Sequence, residues 1–356
     1  MEYKYPVSRP YLKGNELEYV TKAIKDGWIS SQGNFVKEFE KKFAEFNEYK
    51  HGIACSSGTA ALTLALRALG IRDGDEVIVP EFTMVASAWA VTYTGATPVF
   101  VDCGDDLNIN ADLIEEKITP KTRAIMPVHI YGRRCNMDKI MDIAHNYNLR
   151  VVEDSAEAHG IKPVGDIACF SLYANKIISS GEGGICVTND DHLSKQMVHL
   201  RGMAFTADHT FVHKKVAYNF RMTNMQAGVA LAQLEKIDEI LDKRKDIETR
   251  YDEKLKDVTG IKVLPKRNVL WMYDILLDDQ NDKHKLQSFL ESHGIETRQF
   301  FKPMSQQAMY YDDKWKGLKA ADLGHRGIYL PSSTDLSEEE QEFIVSKIKE
   351  FYKNKG

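Results

Sequence analysis

The sequence predicts an α/β fold with a mostly parallel central sheet, helices on both faces and a smaller C-terminal α+β domain. Three observations carry this. Between residues 51 and 188 short β-type runs alternate with longer helical patterns, the order of repeated strand–helix–strand units. The apolar runs are rich in Val, Ile and Ala without strict alternation, as in strands covered on both faces. Two of them run out into polar residues around Asp154 and Lys176, and open parallel sheets collect ligands beyond the carboxyl ends of their strands.

Strands are expected at 51–56, 76–79, 98–102, 123–129, 150–154, 168–172 and 185–188. Helices are expected between them at 59–69, 84–94, 111–118 and 137–147. A long segment at 223–256, with Glu, Lys and Leu at helical spacing, leads out of the first domain. Beyond it the strand signals are weaker (261–264 and 272–277), with helices at 283–293 and 337–353. The last opens on Ser337 followed by Glu338, Glu339 and Glu340, a capping serine with acids at the positive end of the helix. The expected division is a large cofactor-binding domain over 1–240, including the N-terminal segment, and a small one over 241–356.

The 356 residues suffice for two such domains. Hydrophobic residues make up 43% and charged ones 28%, ordinary for a soluble globular protein. A net charge of −5 argues against nucleic acid as a partner. No run suits a signal peptide or a membrane helix. Cys55, Cys103, Cys135, Cys169 and Cys186 are scattered without a CxxC pair, which suits reduced, buried thiols and a cytoplasmic location.

The chemistry centres on Lys176, which follows an apolar run and precedes Gly181-Glu182-Gly183-Gly184. A partly desolvated lysine loses its proton readily and attacks an aldehyde to form an imine. Asp154 ends an earlier strand. A carboxylate for a pyridinium nitrogen and an amine for an aldehyde are the two groups that pyridoxal phosphate needs. Ser57-Gly58-Thr59 breaks a strand into a glycine turn and a helix, and such a turn aims free amides at one point, suiting a phosphate. Alone it also reads as a plain capped helix. Glu157 can reach the ring's phenolic oxygen; His159 reads equally as a packed histidine. Gly-Glu-Gly-Gly lacks dinucleotide spacing. Neither metal-ligand spacing nor a hydrolase elbow is present.

Four stretches in order resemble the DegT/DnrJ/EryC1/StrS family, pyridoxal-phosphate-dependent sugar aminotransferases of fold type I. They are Ser-Ser-Gly-Thr-Ala-Ala-Leu (56–62), Glu-Asp-Ser-Ala-Glu-Ala-His-Gly (153–160), Ser-Leu-Tyr-Ala-Asn-Lys (171–176) with its glycine turn, and Tyr-Asn-Phe-Arg-Met-Thr-Asn (218–224). Asn175-Lys176 before the glycine turn, with Trp-Ile-Ser-Ser-Gln-Gly at 28–33, is most similar to the perosamine-forming branch. Those members move an amino group from glutamate onto C4 of GDP-4-keto-6-deoxymannose.

The resemblance implies that Lys176 binds the cofactor covalently and then shuttles protons. It implies Asp154 on the pyridine nitrogen, Glu157 on the phenolic oxygen, and Ser57, Gly58, Thr59 and Ser171 around the phosphate. Asn219 would reach the phosphate of a neighbouring subunit, making a homodimer obligatory; Arg221 is a second candidate for that interface. Met84 stands where many relatives carry an aromatic ring against the cofactor, and a thioether can cover that face. A histidine common among relatives near 303–307 is replaced by Met304 or Ser305, which weakens the carried-over substrate. Viosamine-type amination of a dTDP- or UDP-linked 4-keto sugar, a 3-aminotransferase, a sugar dehydratase and a non-catalytic regulator remain alternatives. Dehydratases of this type carry histidine in place of the lysine.

Overall fold

The computed structural model describes residues 3–205, 211–213 and 215–355. Two amphipathic helices come first, α1 (Glu16–Lys25) and α2 (Asn34–Phe46). Phe39 and Phe43 of α2 are fully buried, and Phe43 meets Phe170 edge-on at 5.0 Å.

The core then follows as β1 (His51–Cys55), α3 (Gly58–Ala68), β2 (Glu76–Pro80), α4 (Val85–Thr92), β3 (Thr97–Val101), β4 (Thr122–Ile125), α5 (Met137–Asn146), β5 (Arg150–Asp154), β6 (Ile167–Ser171) and β7 (Gly184–Thr188). These strands form a seven-stranded sheet in the order β1-β7-β6-β5-β4-β2-β3. β3, β2, β4, β5 and β6 are parallel to their neighbours, while β7 runs antiparallel to both β6 and β1. All five residues of β6 and of β7 are buried, as expected of strands covered on both faces.

After α6 (Asp191–Arg201), α7 (Asn224–Leu234) and α8 (Ile237–Leu255) comes a four-stranded antiparallel sheet. Its members are β8 (Ile261–Val263), β9 (Tyr273–Leu277), β10 (Arg298–Gln299) and β11 (Gly327–Leu330), flanked by α9 (Asp282–Ser292), α10 (Lys319–Arg326) and α11 (Glu338–Lys355). Tyr5, near the start of the chain, bridges Ile295 beside this second sheet.

Three expected elements differ in detail. Residues 111–118 form two 3-10 turns, Ala111–Leu113 and Glu115–Lys117, rather than a helix; Pro120 pushes its predecessor toward extended backbone and leaves too few residues for stable α-turns. The strand expected at 123–129 stops at Ile125, because Pro127 has no amide hydrogen to continue the ladder. The segment 223–256 is two helices broken at Glu235 and Lys236, where Lys236 leaves helical dihedrals.

The two sheets meet at a buried ionic joint. Arg133 donates from both terminal nitrogens to Asp274 on β9, at 2.8 and 3.1 Å, and from Nε to the Pro265 carbonyl at 2.8 Å. Arg267 donates to the same carboxylate and to Glu248. Gly132 has φ +79 and presses on Val269; a Cβ there would lie 1.9 Å from the Val269 oxygen.

Candidate active site

Strand exits converge on a cavity of about 320 Å³ that contains Ser57, Gly58, Thr59, Met84, Asp154, Glu157, Ser171 and Lys176 in its lining. The first three lie at the junction of β1 and α3. Ser57 has extended backbone and its Oγ accepts from the Ala60 amide at 3.1 Å, so it caps the helix. Gly58 packs on β6, where a Cβ would lie 2.8 Å from Ser171 Cβ. Glycine therefore lets the helix start approach Ser171, and the first amides of α3 face the cavity as an anion seat.

Asp154 closes β5 with only 4% of its surface exposed. Its Oδ2 accepts from Ser87 Oγ at 2.8 Å and its Oδ1 from the Ala156 amide at 3.1 Å. Ser87 in turn lies 3.0 Å from Thr83 Oγ1. Burial lifts the Asp154 pKa above the ordinary carboxylate range, and the two hydrogen bonds and nearby Lys176 oppose that rise only in part. A buried carboxylate of this kind calls for a cation. The adjacent Glu153 points to the other face of the sheet, as strand alternation requires. There it accepts from His129 at 2.8 Å, and His129 Nδ1 accepts from the Cys135 amide.

Glu157 is also buried. Its Oε2 accepts from the Tyr131 amide at 2.9 Å, and its Oε1 lies 3.5 Å from Lys176 Nζ. Burial pushes the Glu157 pKa up to about 7 against the pull of Lys176. The Lys176 side chain is 12% exposed, and its Nζ lies 4.2 Å from the centre of the Trp271 ring. The Trp271 Nε1 donates to the Asn175 carbonyl at 2.8 Å.

Met84 stands at the N-cap of α4 and is half exposed at the mouth of the cavity, whereas Phe82 turns into a buried cluster with Tyr131, Phe300 and Phe301. His159 is fully buried against Phe43 and Phe170; burial, with Lys176 and Arg244 nearby, pushes its pKa down to about 3, so it is neutral. Asn219 and Arg221 are not in the cavity lining. They lie beside the start of the β1–α3 turn, Arg221 bridging Cys55 and donating to Asn219 Oδ1 at 2.9 Å.

Sequence reasoning missed Ser87, Tyr131 and Trp271. No spacing rule links Ser87 to Asp154, 67 residues further on, and Trp271 sits in Leu-Trp-Met, which reads as ordinary core. Tyr131 carries φ +52, invisible in a residue that rarely adopts it.

A model of the DegT/DnrJ/EryC1/StrS aminotransferase family matches residues 10–349. The chain belongs to that family. It is 42% identical over 360 residues to the GDP-perosamine synthase of Escherichia coli O157:H7, covering 98% of this chain and 99% of that protein. It is also 42% identical over 358 residues to the GDP-perosamine synthase of Caulobacter vibrioides, covering 96% of each. Among solved structures, a Streptococcus pneumoniae chain described as a sugar aminotransferase, in its PLP form, superposes with a TM-score of 0.91 at 28% identity, covering 99% of both chains. The family member described here is a pyridoxal-phosphate-dependent aminotransferase of fold type I. Its donor set fits that cofactor: an amine beside an aromatic wall, a buried carboxylate held by two hydrogen bonds, and a helix start held open by Gly58. Among the described residues no helix is long and apolar enough to cross a membrane.

Proposed function

We propose that this enzyme transfers the amino group of L-glutamate to C4 of a nucleotide-linked 4-keto-6-deoxyhexose, converting GDP-4-keto-6-deoxymannose to GDP-perosamine. The observation that carries this reading is the cavity shared by Lys176, Glu157 and Asp154, in a chain 42% identical to two GDP-perosamine synthases over nearly full length.

Lys176 would hold the cofactor through its amine. The bound cofactor supplies an electron-withdrawing ring that eases loss of a proton from the carbon bearing the migrating nitrogen. The Lys176 amine would take that proton and return it one position away, which is general acid–base work. Asp154 would pair with the pyridine nitrogen and keep its proton, with Ser87 and the Ala156 amide fixing the carboxylate's orientation. Glu157 would meet the phenolic oxygen, and Met84 would cover the ring face. Gly58 and Thr59 offer amides, and Ser57 and Ser171 hydroxyls, to the phosphate. Asn219, on the surface beside the β1–α3 turn, would complete the phosphate seat of a second copy, so the working unit would be a homodimer. Residues 1–240 would form the cofactor-binding domain and 241–356 the smaller one, in a cytoplasmic enzyme.

The test is incubation of the purified protein with L-glutamate and a panel of GDP-, dTDP- and UDP-linked 4-keto and 3-keto sugars, followed by mass spectrometry. Amination of the GDP 4-keto sugar is expected. Amination of a 3-keto sugar alone would overturn the substrate assignment.

A further inference from the structure

We propose that Glu81 is a positioning residue for the keto-sugar substrate, latching the segment around Ser305 to set the cavity mouth between Met84 and Phe301. This rests on the nucleotide-sugar reading above and adds a residue that reading does not use.

Glu81 follows β2 and is 3% exposed; Ser305 is 5% exposed. The Glu81 Oε1 accepts from the Ser305 amide at 2.6 Å and also from the Ser305 hydroxyl. One residue earlier, the Met304 amide donates to the Glu81 carbonyl at 2.9 Å. Side chain and main chain of one residue therefore grip two consecutive residues of the distant segment. The Glu81 backbone is fixed in turn, its amide donating to the Val101 carbonyl at 2.7 Å. A buried carboxyl without these donors would be strongly disfavoured, so the Ser305 amide and hydroxyl tie the two segments together.

The latch is close to the mouth on both sides. Thr83 and Met84, which line the cavity, follow Glu81 by two and three residues; Phe301, which lines it too, precedes Ser305 by four. Two further contacts continue the strap away from the cavity. Tyr310 meets Thr92 Oγ1 at 2.6 Å, and Asp102, just after β3, accepts from the Lys319 and Ala320 amides at 2.8 and 3.0 Å. Glutamate is small enough to reach Lys176 without spanning this rim. A hexose carrying a nucleoside diphosphate has to cross it, so a loosened latch burdens the second substrate selectively.

The experiment compares wild-type, E81A, E81Q and S305A holoenzymes. The glutamate half-reaction is read from the cofactor's absorbance, and KM and kcat for the keto sugar from product mass. E81A is expected to raise the keto-sugar KM about tenfold, the scale of a displaced binding wall, with the glutamate half-reaction within about twofold of wild type on the same criterion. E81Q should restore KM, since its amide oxygen accepts from both Ser305 donors. S305A, which removes one hydroxyl and keeps the carboxylate buried, should shift KM in the same direction and covers the case in which E81A does not fold. An unchanged keto-sugar KM in E81A or, failing that protein, in S305A overturns the latch alone. So does equal loss of both half-reactions, which marks a general structural role. A wild-type enzyme that aminates no keto sugar overturns the function proposed above, and this inference with it.

Discussion

The indole of Trp271 faces the Lys176 amine at 4.2 Å from ring centre to Nζ, while its own N–H holds the carbonyl of Asn175, the residue before the lysine. One side chain therefore fixes both the reactive nitrogen and the turn that carries it. A cation–π contact in a desolvated site is worth about 2 kcal/mol and a hydrogen bond about 1 kcal/mol. W271A should lower kcat about ten- to a hundredfold, and W271F, which keeps a ring but loses the donor, should fall between. Steady-state kinetics with glutamate and the accepted keto sugar checks the order; equal rates in all three proteins would remove Trp271 from the site.

Lys176 is the one amine side chain among the described residues that line the cavity. K176A is expected to lose amination by about 10³-fold or more, the upper range for a general acid–base group that also anchors its cofactor. Product mass after prolonged incubation is the measure. Full activity in that variant would refute the assignment.

Ser87 is the side-chain donor to Asp154, and a hydrogen bond to a charged group contributes about 1.5–3 kcal/mol. S87A should weaken retention of pyridoxal phosphate, and D154N more so because it also removes the counter-charge. Equilibrium dialysis of the cofactor gives the ranking. D154N retaining cofactor better than S87A would contradict it.

Glu157 gives a pH dependence with a definite sign. Its folded pKa, about 7, stands above the ordinary glutamate value of 4.5, so between those values the folded cofactor-free protein keeps a proton that the unfolded chain has released. The stability tied to that proton is full below about pH 4.5 and declines as pH rises toward 7, by about 3 kcal/mol in all. E157Q should flatten this slope. Urea midpoints at pH 5 and pH 8 provide the test, and parallel slopes in the two proteins would show that Glu157 is not the group.

Asp274 lies between two arginines and out of the cavity. Removing one member of a buried pair typically destabilises by about 3–5 kcal/mol, because the partner charges stay behind. D274A is expected to do so here, leaving both Arg133 and Arg267 without their shared carboxylate. A thermal midpoint within error of wild type would show the joint to be dispensable.

Much of this was legible in the sequence because it is local. Lys176, Asp154 and Ser57-Gly58-Thr59 each stand at a strand exit, and a parallel sheet brings such exits to one edge whatever their separation along the chain. The β5 bounds 150–154 follow directly from the apolar run. What escaped is non-local or backbone-borne. Trp271 reaches Lys176 across 95 positions of sequence, with no periodicity linking them. The Arg133–Asp274 pair is a long-range contact of the same kind. The break between α7 and α8 carries neither Gly nor Pro. It falls where Gln233 turns its amide to the Tyr11 carbonyl and to Glu16, a demand set by the N-terminal segment rather than by local propensity.

The ionic joint has one more implication. Arg133 is two residues from Tyr131, whose amide supports Glu157, and Gly132 between them is wedged against Val269. A disturbance at Asp274 thus has only a few covalent bonds to travel before it tilts a carboxylate of the reaction chamber. Remote lesions in the second sheet should register as a change of colour in the bound vitamin before they register as unfolding.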